Sequence, residues 1–190
     1  MRSSSFVGRF ETPILFFHLA AIALAIGPVL FFGAVVAPAA FRVLPTRDMA
    51  AALVSPVLSG ACLIAEISFG ILFATSWWLS RDGVPRLTRS LLTRLPVVGF
   101  FAVLVIRELL IPPMDRIRAE APGLIDSLPA ADPSRLLLDR YHRLATGFFI
   151  AALAVGVVVL VLTARLLSVS RAAPTPSASR PPVPKLLDLS

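Results

Sequence analysis

Cysteine is almost missing from this chain. Cys62 stands alone, which rules out a disulfide within the chain and leaves the redox compartment unread. Charge is scarce too. Asp, Glu, Lys and Arg make up 15% of the residues, where a soluble protein carries about a quarter. Lysine is confined to Lys185, so every other basic side chain is Arg. Paired ligand spacings such as CxxC or HxxxH do not occur, nor does a Met cluster. A Walker loop, a glycine-rich dinucleotide turn, a nucleophile elbow and a paired-carboxylate motif are also missing. These gaps argue against an enzyme, a resident metal and a cofactor.

What the chain has instead is long stretches without charge. Of its 190 residues 57% are hydrophobic, and the mean hydropathy is +0.85. From Ile14 to Val36 no residue is charged, and His18 is the only markedly polar side chain. A helix of that length is roughly 35 Å long, enough to cross a bilayer core. Arg2 and Arg9 could head a signal peptide, but the apolar run is too long and Pro38 sits badly at a cleavage site. A retained first span is the expectation. Three further spans are read at about 53–79, 95–111 and 144–167, so the expected fold is an all-α, antiparallel four-helix transmembrane bundle.

Punctuation sets the organisation. Residues 1–12 form a basic lead-in, 13–168 the membrane domain, and 169–190 a Pro-rich tail expected to be disordered. Pro38 is expected to help end span 1, and Pro112-Pro113 to stop span 3. Residues 112–143 leave room for short helices near 115–120 and 134–143. Gly27-Pro28 marks a mid-span kink site. Ala20, Ala23, Gly27 and Ala34 share a small-residue stripe suited to helix contact in lipid. In span 2, Ser55, Ser59, Cys62 and Glu66 share one face, expected to look into the bundle. Trp77 and Trp78 stand where an interfacial aromatic belt belongs.

The net charge of +7 does not point to nucleic acid, because the Arg residues lie between apolar runs rather than on one soluble face. They read as topology signals and lipid-phosphate contacts. Ten basic residues fall on the side shared by the two termini and the 80–94 link, against eight on the other. That balance puts both termini in the cytoplasm.

Three stretches stand out: Gly33 to Pro45 at the close of span 1, Ile111 to Arg118 after span 3, and Tyr141-His142 through Thr146 at the opening of span 4. In this order and spacing they resemble the bacterial members of the transmembrane protein 205-like family. One departure is that Tyr141 abuts His142, where the family places Phe two residues further before the His. The likeness covers about residues 12–167 and implies a small four-span protein of the bacterial cytoplasmic membrane without an agreed activity. A eukaryotic relative is associated with platinum-drug resistance, a hint of solute or metal handling.

The candidate intramembrane polar site is Glu66, Arg107, Glu108, His142 and Cys62. Glu66 lies near the middle of span 2, where an ionised carboxylate needs a partner, water or a proton. Either it binds a cation or relays a proton, or it pairs with Arg107 and locks two helices together. Arg107, Glu108 and His142 either line a polar cavity with Glu66 or are ordinary interfacial residues. Cys62, Glu66 and a His could in principle hold copper or zinc, but no motif supports it, and no metal is expected. His18, near the opposite surface, reads as a hydrogen-bonded packing residue that does not meet His142. Asp115, Glu120, Asp126, Asp132 and Asp139 read as a solvated face. The function expected is a non-enzymatic membrane component that assembles with itself or another membrane protein. The alternative is a small transporter or metal- and drug-tolerance protein.

Overall fold

Inside a bilayer no water satisfies the backbone, so apolar runs of this length fold as helices that bond internally. A computed structural model describes residues 4–79, 84–121 and 123–172, and among the described residues all regular structure is helical. α1 (Ser4–Phe31) passes through a π turn (Phe32–Val36) into α2 (Ala37–Val43). α3 (Arg47–Leu79) returns. α4 (Arg86–Leu104) passes through a second π turn (Val105–Leu110) into α5 (Ile111–Glu120). After a 3-10 turn at Ile125–Ser127, α6 (Pro133–Ala172) runs back.

Four helical segments are long and apolar enough to cross a membrane: Thr12–Val43, Arg47–Leu79, Arg86–Glu120 and Pro133–Ser168. We call them spans 1 to 4. At 32 to 36 residues each is about 50 Å long, against a hydrocarbon core of about 30 Å, so the ends project beyond it. Each span packs on the next, and span 4 returns to span 1 through the thinnest of the four seams. The result is an antiparallel four-helix bundle.

The helices extend past the apolar runs because local chemistry, not hydropathy, sets their ends. Thr46 Oγ1 accepts the Met49 N–H at 3.2 Å, an N-cap that starts α3 six residues before the expected Leu53. Asp132 Oδ1 accepts the Ser134 N–H at 2.8 Å, with Pro133 in the first helical position, where its missing N–H costs nothing. The expected short helix at 134–143 is therefore the first part of span 4. Residues 169–172 continue α6, and the rest of the tail expected to be disordered, 173–190, lies outside the described residues. The lead-in likewise differs, since α1 already begins at Ser4.

Pro38 does not end span 1 and Pro112-Pro113 do not stop span 3. In an α-helix a proline ring clashes with the carbonyl four residues back, which is that of Ala34 for Pro38 and of Glu108 for Pro112. A π turn precedes both prolines and widens the ladder there: Ala37 N–H donates to Phe32 O and Ile111 N–H to Ile106 O. Each proline then sits in the first turn of the next α segment, and the rod continues.

Burial follows polarity more than greasiness. The face of α1 turned inward carries His18, Ala21, Ala25 and Val29, whereas Phe16, Phe17, Leu24 and Phe31 face outward. Three residues of the small-residue stripe, Ala23, Gly27 and Ala34, are exposed, so they do not serve contacts within this bundle. Lipid tails are as apolar as Leu, so nothing forces the large aliphatics inside. The inward face of α3 holds Cys62, Ala65, Glu66, Phe69 and Leu72, as the spacing of Cys62 and Glu66 predicts. Trp77 and Trp78, half exposed, stand at the end of α3.

Candidate functional site

Glu66 is held on the inner face of α3 with its side chain 7% exposed, opposite Arg107 on the second π turn. Arg107 Nε donates to Glu66 Oε1 at 2.9 Å, and Nη2 lies 2.8 Å from Oε2. One guanidinium edge therefore engages both carboxylate oxygens, the fork geometry that makes Arg–carboxylate pairs strong and directional. Nη2 also reaches Glu108 Oε1 at 3.0 Å. The cluster carries two acids and one base, a formal charge of −1. Arg107 is thirteen residues from Arg94 and eight from Asp115, about 20 Å and 12 Å along the helix, so the cluster lies in the hydrocarbon region. An unpaired charge at such a depth costs about 2.5–3.5 kcal/mol even on the mild insertion scale, which is why the ions are found together.

The other two candidates sit differently. Cys62 is one turn from Glu66 on the same face and 1% exposed. His142 does not join the cluster. It is exposed and stands at the mouth of a cavity of about 310 Å³ at the loop end of the bundle. Neither that cavity nor its neighbour of about 590 Å³ is lined by Glu66, Arg107 or Glu108. Neither of these two cavities joins Glu66 to His142. Among the described residues no group of three His, Cys, Asp or Glu comes together as a metal site.

The larger cavity holds Asp48, Asp115 and Arg118, and these side chains bind neighbouring segments. Ser55 Oγ donates to Asp115 Oδ2 at 2.8 Å, and Arg118 Nη1 donates to Asp115 Oδ1 at 3.1 Å. Asp48 Oδ2 accepts the Ile125 N–H at 2.8 Å, fixing the Ile125–Ser127 turn onto α3. Asp115 and Asp132, read from sequence as a solvated face, thus have structural partners.

At the opposite end, His18 is buried between two threonines that sequence reasoning did not find. Nδ1 lies 2.8 Å from Thr75 Oγ1 and Nε2 lies 3.0 Å from Thr163 Oγ1. This contact joins spans 1, 2 and 4, and it puts the start of span 1 beside the ends of spans 2 and 4. A neutral imidazole has one donor and one acceptor nitrogen. One threonine therefore turns its hydroxyl proton to the ring instead of to its own helix carbonyl, Ile71 O at 2.8 Å or Val159 O at 2.9 Å. The signal that could have found this network is a hydroxyl within an apolar run, which in lipid turns inward or bonds its own helix.

No protein-family model matches the chain, and neither a curated protein nor a solved structure matches it.

Proposed function

We propose that this chain is a non-enzymatic integral membrane component of the transmembrane protein 205-like kind, in the bacterial cytoplasmic membrane with both termini inside. In this reading the bilayer is its solvent, and its role is to assemble with itself or with another membrane protein. The observation that carries it is the pairing of Glu66. Both carboxylate oxygens are engaged by Arg107, and Glu66 itself is buried. A transport carboxylate needs an approach for its solute, whereas a helix lock needs only a partner. The exposed Ala23, Gly27 and Ala34 support the assembly role, because small residues let another helix approach closely in lipid.

The test uses cells lacking other copies of the gene, complemented with wild type, Glu66→Gln or Arg107→Ala at matched membrane abundance. Metal tolerance, drug tolerance and solute flux are expected to be the same for all three, while the variants need stronger expression to reach that abundance. A variant that reaches normal abundance yet loses tolerance or flux would transfer the case to the transporter reading.

A further inference from the structure

The cavity of about 310 Å³ beside His142 has walls from all four spans and a composition that specifies an occupant. Its depth is apolar: Phe32 from the first π turn, Leu58 from α3, Ile106 from the second π turn and Phe149 from α6. Arg118 and Ile106 are twelve residues apart, so the cavity extends about 18 Å along the bundle axis from the loop end. Its volume falls at the small end of ligand sites, which suits a single tail.

Its mouth is what distinguishes a ligand. Four polar side chains stand there: Ser55, Arg118, His142 and Thr146. Two of them are committed within the protein, because Ser55 donates to Asp115 and Thr146 donates to His142 O. Arg118 spends one N–H on Asp115, and its remaining donors have no partner among the described residues. Arg118 and His142 are the only ionisable groups on the lining, and both offer donors. Asp48 and Asp115 line the adjoining cavity, which shares Ser55, Ile111 and Arg118 with this one. Charge complementarity therefore selects an acceptor-rich, negatively charged head.

We propose that this cavity binds a single-chain amphiphile with an anionic head, its tail between Leu58, Ile106 and Phe149 and its head at Arg118 and His142. A fatty carboxylate and a lysophospholipid phosphate share that chemistry. The proposal goes beyond the architectural role of Glu66 and Arg107 and uses none of that cluster.

The full chain in phosphatidylcholine nanodiscs is photolabelled with diazirine-bearing palmitate and with its phosphate-monoester, alcohol and trimethylammonium counterparts. At least one anionic probe is expected to crosslink to peptides containing Ile106 or Phe149, in competition with unlabelled palmitate. The alcohol and the ammonium are expected to label them about ten-fold less, the worth of one charge-assisted hydrogen bond. Which anionic probe dominates identifies the source. Arg118→Gln is expected to bring the anionic probes down to the level of the alcohol. Ala37→Phe and, as a second filling variant, Val54→Phe are expected to remove labelling by every probe at these peptides. The proposal is overturned if the ammonium labels as well as the anions, or if Arg118→Gln leaves the preference intact. It is equally overturned if label spreads evenly onto the lipid-facing Phe101 and Ile150. With the bundle still folded, any of these results leaves the architectural reading untouched.

Discussion

Arg107→Met is expected to destabilise the bundle by about 3–5 kcal/mol, the usual cost of removing one partner from a buried ion pair. The reason lies in the inventory of Glu66. Its side chain is 7% exposed, and both oxygens take their bonds from Arg107. Without the guanidinium, α3 carries a carboxylate facing the second π turn with nothing to compensate it. Glu66→Met costs less, because Arg107 retains Glu108 at 3.0 Å and is itself partly exposed. The double variant Glu66→Met with Arg107→Met is expected to recover most of the loss, since apolar groups of similar volume replace a buried pair at little net cost. Adding Glu108→Gln removes the charge left behind and recovers the rest. Unfolding by SDS titration in mixed micelles, followed by circular dichroism, measures the cycle. A loss below about 1 kcal/mol for Arg107→Met, typical of exposed pairs, would show that the pair does not lock the spans.

Gly99→Ala is the second large effect. A Cβ built on Gly99 falls 2.5 Å from Phe69 Cε1 and Cζ, closer than packed carbon atoms approach. The Phe69 ring is 1% exposed within the core, so it has little room to retreat. Overpacking of this kind costs about 1–3 kcal/mol, here at the interface of α3 and α4. Gly27→Ala is the internal control. Nothing lies within 4 Å of its Cβ position, and exchanging a helical glycine for alanine is worth up to about 1 kcal/mol in favour of the helix. Thermal unfolding in one detergent should therefore move in opposite directions for the two substitutions. Phe69→Leu introduced with Gly99→Ala should return part of the loss.

The four crossings were legible because lipid demands long uncharged helices, and such runs are conspicuous in sequence. Their ends were less so. Hydropathy reports which residues meet hydrocarbon, whereas Thr46, Asp132 and Pro133 decide where the helices begin. The prolines misled for a related reason. Pro38 and Pro112 break an α ladder, but the π turns before them absorb the clash, and nothing in the local composition announces those turns. The stripe of Ala20, Ala23, Gly27 and Ala34 marks a face suited to helix contact without saying which helix it meets, and the interior of α1 is marked by His18 instead. In lipid it is polarity that sorts the faces, as Cys62 and Glu66 on α3 illustrate. At the candidate site, the Glu66–Arg107 pair was one of two readings available from depth and reach. The separation of His142 was likewise one of two readings, and the choice depends on which way α6 turns its first exposed face.

The arrangement on which the rest depends is an even number of crossings, with the Ile125–Ser127 turn on the side away from the start of α1 and the end of α6. It is tested most directly by compartment reporters at each end together with membrane-impermeant maleimide labelling of Ser127→Cys in intact cells. Both terminal reporters should register the cytoplasm, Ser127→Cys should react from outside, and the buried native Cys62 should stay unlabelled. Reporters in opposite compartments, or a Ser127→Cys that reacts only after lysis, would contradict the account.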